Sequence, residues 1–485
     1  MNLPDYPDQF FAHYLPKLNV AAYCAGLKKR SSKMTQIQSA TTSNSVEKPL
    51  GRGIALVPIL LFLAIFIGSG IYHSLAGTDF AFYQLKAPVA VLPALILALF
   101  ISRQKLNAAL ETFLEGIGNV NLITMCMVFL LAGAFAAVTK AIGGVDATVA
   151  LGLSLVPESL VLPGIFVIAA FIATAMGTSM GTIAAVAPVA VGAAEATGMS
   201  LGITMGAVVG GAMFGDNLSI ISDTTIAATR SQGCEMKDKF RVNFKLALPA
   251  AIITLISLFI LNDAAPVAAK DTGSILLVVP YVAVLALALS GLNVLLVLGS
   301  GLIISGVIGL LVADYSFGQY TNDIYAGFSN MFEIMLLSML VGGLSALIKQ
   351  QGGLVWLSEK IRNLTKNGGK RAGCLGIASL AVATDACTAN NTVAIIISGD
   401  VAKDIANEHA IEPKQTASLL DIFSCAVQGV IPWGAQLLLA GSIAGLSPVE
   451  LSLSVHYCLA LAVIALASIW LQKVPVTTGN QKKFA

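Results

Sequence analysis

Along most of the chain the charged positions do not alternate with apolar ones. They are expelled from long stretches: no Asp, Glu, Lys or Arg occurs in 53–78, 87–102, 116–139, 159–194, 196–215, 246–262, 274–313, 334–348, 422–449 or 451–472. A helix needs about 20 apolar residues to cross a bilayer. The run 274–313 is long enough for two spans, which the turn-forming Ser290-Gly291-Leu292-Asn293 would join. Strands of a membrane barrel would show ~10-residue segments of alternating polarity, and these runs are apolar all round. The pattern predicts an all-α polytopic membrane protein with about 11–13 transmembrane segments.

Composition narrows the picture. Of 485 residues, 56% are hydrophobic and only 11% charged, less than half the ~25% of a soluble domain. A cytosolic enzyme and a disordered chain are both excluded. A net charge of +2 gives no electrostatic footprint for nucleic acid. The cysteines (24, 126, 234, 374, 387, 425 and 458) form no CxxC or metal-ligand spacing and read as packing thiols.

Residues 1–53 are polar and basic, Ser/Thr-rich from Ser31 to Ser45, and lack the apolar core of a cleaved signal peptide. They are expected to form a disordered cytoplasmic tail, with Met34 marking 1–33 as a candidate mis-called start. Residues 473–485 are expected to form a second cytoplasmic tail. Lys and Arg accumulate on the cytoplasmic side. With both termini inside, every basic cluster falls on that side, including 226–245 (Arg230, Lys237, Lys239, Arg241, Lys245) and 349–371. An integral plasma (inner) membrane location follows, with the lipid bilayer as the obligate partner.

The chain also repeats itself. Shifted by 209 residues, 118–145 lies on 327–354 without a gap, matching Gly118 with Gly327, Asn121 with Asn330, Gly133 with Gly342 and Lys140 with Lys349. Gly143-Gly144 also meets Gly352-Gly353. The loop after the first copy is poor in Lys and Arg; the loop after the second is rich in them. The copies are therefore expected to face opposite ways, giving two inverted repeats with flanking spans, 54–262 and 274–472. Secondary transporters are commonly built so, with the binding site at the midplane.

Each repeat is interrupted twice. Gly177-Thr178-Ser179-Met180-Gly181-Thr182 and Thr384-Asp385-Ala386-Cys387-Thr388-Ala389-Asn390-Asn391-Thr392 read as tips of re-entrant hairpins. Unwound backbone at membrane depth is tolerated only where it lines a cavity inside the protein; close helix packing through small residues would account for the first tip alone. Broken helices follow at Gly215–Thr225 and Gln428–Gln436. The first holds Asp216, Asn217, Ser219, Ser222, Asp223 and Thr224. Carboxylates in a membrane are expensive and face functional cavities. Oxygen donors beside unwound carbonyls suit a small hard cation, and exposed helix N-termini suit an anion. An interfacial loop, with Ser222 or Asp223 capping the next helix, is the plainer alternative.

The string Gly215-Asp216-Asn217-Leu218-Ser219-Ile220-Ile221-Ser222-Asp223-Thr224-Thr225 resembles the G-D-x-x-S-x-x-S-D-T-T signature of the NhaC-type Na+/H+ antiporter family. Its continuation through Arg230 to Arg241 is similar to a branch regarded as amino-acid permeases. The resemblance covers most of 50–472. It implies inverted repeats, paired re-entrant hairpins and Na+ at the hairpin tips, with Thr178, Ser179, Thr388, Asn390, Asn391 and Thr392 as tip ligands and Thr182 beside them. A homodimer is a common scaffold in such families. Family exchangers commonly have Lys after the Gly-Asp pair, where this chain has Asn217.

The expected function is secondary transport that exchanges or couples Na+ and H+ by alternating access. Asp216 and Asp385 are the expected cation-responsive carboxylates, since a carboxylate holds Na+ when ionised or H+ when protonated, never both well. No resident cofactor or other metal is expected. On the alternative reading the same frame carries an amino acid, with Glu333 as an ammonium partner and Trp433 and Gln436 shaping a side-chain pocket. Trp433 also suits an aromatic interface anchor, and Asp421 an interfacial helix end. A remote alternative is an intramembrane hydrolase on Gly177-Thr178-Ser179-Met180-Gly181, but His13, His73, His409 and His456 all lie away from expected membrane depth. An aspartyl dyad lacks its G-x-G-D signature, a channel does not need inverted broken helices, and no Walker A pattern supports an ATP-driven pump.

Overall fold

A computed structural model describes residues 51–78, 81–265 and 274–471. The expected tails, save for residues 51–53, lie outside the described residues. Every regular element among the described residues is helical. In chain order they are α1 (Val57–Leu75), α2 (Ala87–Phe100, kinked at Val91), α3 (Leu106–Ile117), α4 (Val120–Ala141), α5 (Gly144–Leu155), α6 (Val161–Met176) and α7 (Ser179–Thr197). There follow α8 (Leu201–Leu218), α9 (Asp223–Gln232), α10 (Met236–Ile260), α11 (Val279–Leu289), α12 (Val294–Val312), α13 (Phe317–Gln350) and α14 (Gly353–Thr365). The last are α15 (Lys370–Thr388), α16 (Asn391–Glu408), α17 (Pro413–Gln428), α18 (Ala435–Ala444), α19 (Pro448–Ser452) and α20 (His456–Leu471).

The apolar runs become these helices because a backbone in hydrocarbon must satisfy its own hydrogen bonds. Seven helices are long and apolar enough to cross a membrane, and five shorter apolar helices of 10–17 residues accompany them. The pieces are short because turns cut the apolar runs. The long run 274–313 divides where expected: Gly291 has φ +78° and Asn293 caps α12 by accepting from the Leu295 amide. Large apolar side chains such as Ile252, Ile256, Phe259, Leu296 and Ile303 face outward, as an integral membrane protein requires.

Helix order repeats along the chain. The left-handed residues Gly143 and Gly352, 209 positions apart, precede α5 and α14. Beyond them the offset becomes 212. Gly177 answers to Ala389, Gly198 to Ala410 and Gly233 to Gly445, all with positive φ. The ten-residue α9 and α18 start 212 apart. Across the halves, α7 packs on α18 and α16 on α9. The helices α4 and α13, which the sequence register aligns, pack on each other directly. A Cβ on Gly133 would stand 2.5 Å from the Gly327 carbonyl oxygen, and the side chain of Leu122 lies against Gly342, leaving no room there for a Cβ. As the number falls on one side it rises on the other, so the two helices run antiparallel.

The same device sets α8 against α6. A Cβ on Gly215 would lie 2.4 Å from the Ala173 Cβ and 2.5 Å from the Thr174 amide nitrogen, so the contact is with backbone that cannot yield. Gly215→Ala is expected to cost about 1–3 kcal/mol by overpacking and to displace the neighbouring Asp216. Thermal unfolding in detergent, together with Na+ titration, measures both; an unchanged midpoint would contradict the close packing.

Candidate cation-binding site

Each break forms for a local reason. α6 ends where Gly177 turns left-handed (φ +68°) and Thr178 is extended, and α7 then starts at Ser179. α15 ends where Ala389 turns left-handed (φ +51°), and extended Asn390 caps α16 by accepting from the Val393 amide at 3.0 Å. Between α8 and α9 only 219–222 are unwound, with Ser219 and Ser222 extended. Between α17 and α18 the chain passes through Pro432, which cannot donate to a helix.

These breaks meet around one cavity of about 520 Å³. Thr178, Ser179, Asp216, Ser222, Asp223 and Thr224 line it from the first half. Asn390, Asn391, Thr392, Gln428 and Gln436 line it from the second. Asp216 is buried and accepts from the hydroxyls of Ser222 and Ser179, the latter at 3.1 Å. Ser222 and Thr224 hydroxyls are 2.9 Å apart. The chain of contacts continues into the other half: Gln436 Nε2 donates to Ser179 Oγ at 3.1 Å, and Gln428 Nε2 donates to Gln436 Oε1 at 2.8 Å. Gln428 Nε2 also donates to the Ala389 carbonyl at 3.1 Å. A hydrogen-bonded path thus runs from the first broken helix to the second hairpin tip. The first residues of α7, α9, α12, α16 and α18 all line the cavity, so five positive helix ends converge there.

Not every expected ligand reaches it. Asp385 lies a turn before the tip, within α15, because that helix continues through Thr388; its carboxylate is buried, away from the cavity, with neither oxygen hydrogen-bonded. Asn217 points the other way and donates to the Tyr457 hydroxyl at 3.1 Å, while Ser219 is buried outside the cavity wall. Thr182 is a turn into α7 and donates to the Thr178 carbonyl. Thr388 donates to the Thr384 carbonyl at 2.9 Å and lines a second cavity, of about 380 Å³. Met125, Ala389 and Asn390 border both cavities, so the second tip stands between them. Asp223 is exposed to the first cavity rather than capping α9.

Of the expected substrate-pocket residues, Gln436 alone lines the Asp216 cavity. Trp433 is buried rather than at an interface, and donates from Nε1 to the Ala386 carbonyl at 2.9 Å. Glu333 is half-exposed and pairs with Lys86 at 3.3 Å. Ser179, the candidate nucleophile, has an aspartate and an amide as partners, with no histidine among them.

Two charges were misplaced by sequence reasoning. Lys239, expected in a cytoplasmic basic loop, is buried because α10 begins at Met236 and carries it under the α8–α9 break. Asp421, expected at an interfacial helix end, lies in the middle of α17. Lys239 Nζ and Asp421 Oδ2 are 2.7 Å apart, with 1% and 0% of their side chains exposed. The signal was present in α10: its buried stripe Asn243, Ala247, Ala250–Ala251, Thr254 and Leu258 extends back by one helical turn onto Lys239.

With this geometry in view, the sequence profile of the Na+/H+ antiporter family matches residues 24–262 and 267–471. The arginine/ornithine antiporter ArcD of Halobacterium salinarum is 23% identical over 268 residues, which are 48% of this chain and 55% of that relative. The Na(+)/H(+) antiporter NhaC of Bacillus subtilis is 25% identical over 275 residues, 50% of this chain and 60% of that relative. The matched region thus spans little more than half the length of either curated relative.

Proposed function

The chain belongs to the Na+/H+ antiporter family, and from that premise we propose that it is a secondary transporter exchanging Na+ for H+ at Asp216. The observation that carries this reading is the path Asp216–Ser179–Gln436–Gln428–Ala389, because it ties the buried carboxylate of one half to the hairpin tip of the other. Ser179, Ser222 and Thr224 donate to or surround the carboxylate when no cation is bound. Their hydroxyls can rotate and present lone pairs to Na+ instead. Ionised Asp216 attracts the cation and protonated Asp216, being neutral, no longer holds it, so one site serves both ions in turn.

Alternating access then needs the site to face each side separately. The antiparallel packing of α4 on α13 supports inverted halves, and the second tip between two cavities supports a barrier that moves. Asp385, buried away from the cavity and without a hydrogen-bond partner among the described residues, stands outside the Na+ shell.

A second reading is favoured by the five converging helix ends. They suit a carboxylate better than a lone cation, and about 520 Å³ falls within the ~300–1,000 Å³ of small-solute sites. On that reading an amino acid rides with the cation, in keeping with the likeness to the arginine/ornithine antiporter of Halobacterium salinarum. Reconstitution with a pH dye inside the vesicles separates the two. A dye response to Na+ alone supports ion exchange, and a response that requires an added amino acid supports the solute reading. Silence to both would overturn transport through this site.

A further inference from the structure

Beneath the α8–α9 break lies a second oxygen cage, which the Asp216 cavity does not include. Lys239 Nζ donates to Thr225 Oγ1 at 2.7 Å and to the Asn217 carbonyl at 3.1 Å, and pairs with Asp421 Oδ2 at 2.7 Å. An ammonium has three donors and no acceptor, so these oxygens satisfy it completely. Asn243 closes the cage by donating from Nδ2 to the Asn217 carbonyl at 3.0 Å and to Asp421 Oδ2 at 2.7 Å. Thr225 in turn donates to the Ser219 carbonyl at 2.8 Å.

The Lys239 ammonium has no donor left over, while several acceptors around it are unused. Asn217 Oδ1, Asn243 Oδ1 and Asp421 Oδ1 are buried without a hydrogen-bond partner. The cluster combines a backbone carbonyl from the last turn of α8, a hydroxyl, a carboxylate and surplus amide oxygens, which is the donor set a monovalent alkali cation takes. It is also joined to the first site through the backbone, since Asn217 follows Asp216 and Thr225 follows Thr224. The cage is filled from α10 and closed by α17 of the other half.

We propose that the Lys239 ammonium is the tethered occupant of a second monovalent-cation site, formed by the Asn217 carbonyl, Thr225 Oγ1 and Asp421. The side chain supplies permanently the charge that a mobile cation would otherwise have to supply. Binding in this cage does not depend on what the protein transports. Its consequence for coupling rests on the transport reading: with the second position permanently filled, the cycle uses only the cation at Asp216.

The test removes the tether and asks whether a free cation replaces it. Lys239→Ala is made in the full chain on an Asp216→Asn background, so that the first site does not contribute. Thermal unfolding in detergent is followed in choline chloride, NaCl, KCl and ethylammonium chloride at equal ionic strength. The proposal expects the midpoint to rise with at least one of the small cations over choline, by about 1 °C per tenfold concentration above half-saturation. The parent carrying Lys239, and a Lys239→Ala/Asp421→Leu variant without the cage carboxylate, should show no such rise. Equal midpoints in all four salts would overturn the site. Lys239→Gln, which is neutral and one atom shorter and so leaves the ammonium position vacant, is read the same way if the alanine variant does not accumulate. In vesicles, with Asp216 intact, the Na+ dependence of Lys239→Ala should steepen from a Hill coefficient near one towards two. A midpoint response without any transport in the parent would refute the transport reading and leave the cage standing.

Discussion

Asp216→Asn yields a folded protein that has lost its response to Na+. Asparagine has the same shape, and its carbonyl oxygen can still accept from Ser222. Its amide, however, must donate where the carboxylate accepted from Ser179, whose oxygen already accepts from Gln436. The larger loss is the charge, because in a buried site the surrounding hydroxyls cannot offset the desolvation of Na+ alone. Na+ affinity should fall at least about 100-fold, equivalent to ~2.7 kcal/mol. The dye-loaded vesicles measure it directly. A half-saturating Na+ concentration within about threefold of the native value, in a variant with native thermal stability, would remove Asp216 from the site.

The second large effect is on stability. Asp421→Ala strands the Lys239 ammonium with one carbonyl and one hydroxyl in a dry interior. Removing one member of a buried pair costs about 3–5 kcal/mol, whereas replacing both by apolar residues is often neutral or better. Thermal unfolding should therefore rank Asp421→Ala well below the parent, and Lys239→Met/Asp421→Leu close to it. Two variants of equal stability would mean that the pair carries no such penalty.

Much of this architecture is legible in the sequence because hydrocarbon excludes charge so strictly. The run 274–313 had to divide, and it does so at Gly291. The register of 118–145 on 327–354 anticipates the matched turns at Gly143 and Gly352. The hairpin tips were placed to within a few residues, but their edges were not. Ala389 ends α15 in a conformation usually reserved for glycine, so no residue type announced that Asp385 remains inside the helix. Counting Lys and Arg by segment assigned Lys239 to a loop with Lys237 and Arg241. That count cannot see which side of α10 each one faces, and one turn of helix separates an exposed charge from the buried stripe.

Among the described residues, Ala389 and Ala410 are the two that hold positive φ without being glycine, and both stand where the first half has Gly177 and Gly198. A Cβ in that conformation costs about 1 kcal/mol or more. The second helix break is therefore the more strained of the two, and the Gln428 contact to the Ala389 carbonyl is among those that fix it. On the alternating-access reading proposed above, loss of that contact would relieve strain at the second turn alone, so the two breaks would not be equally ready to move.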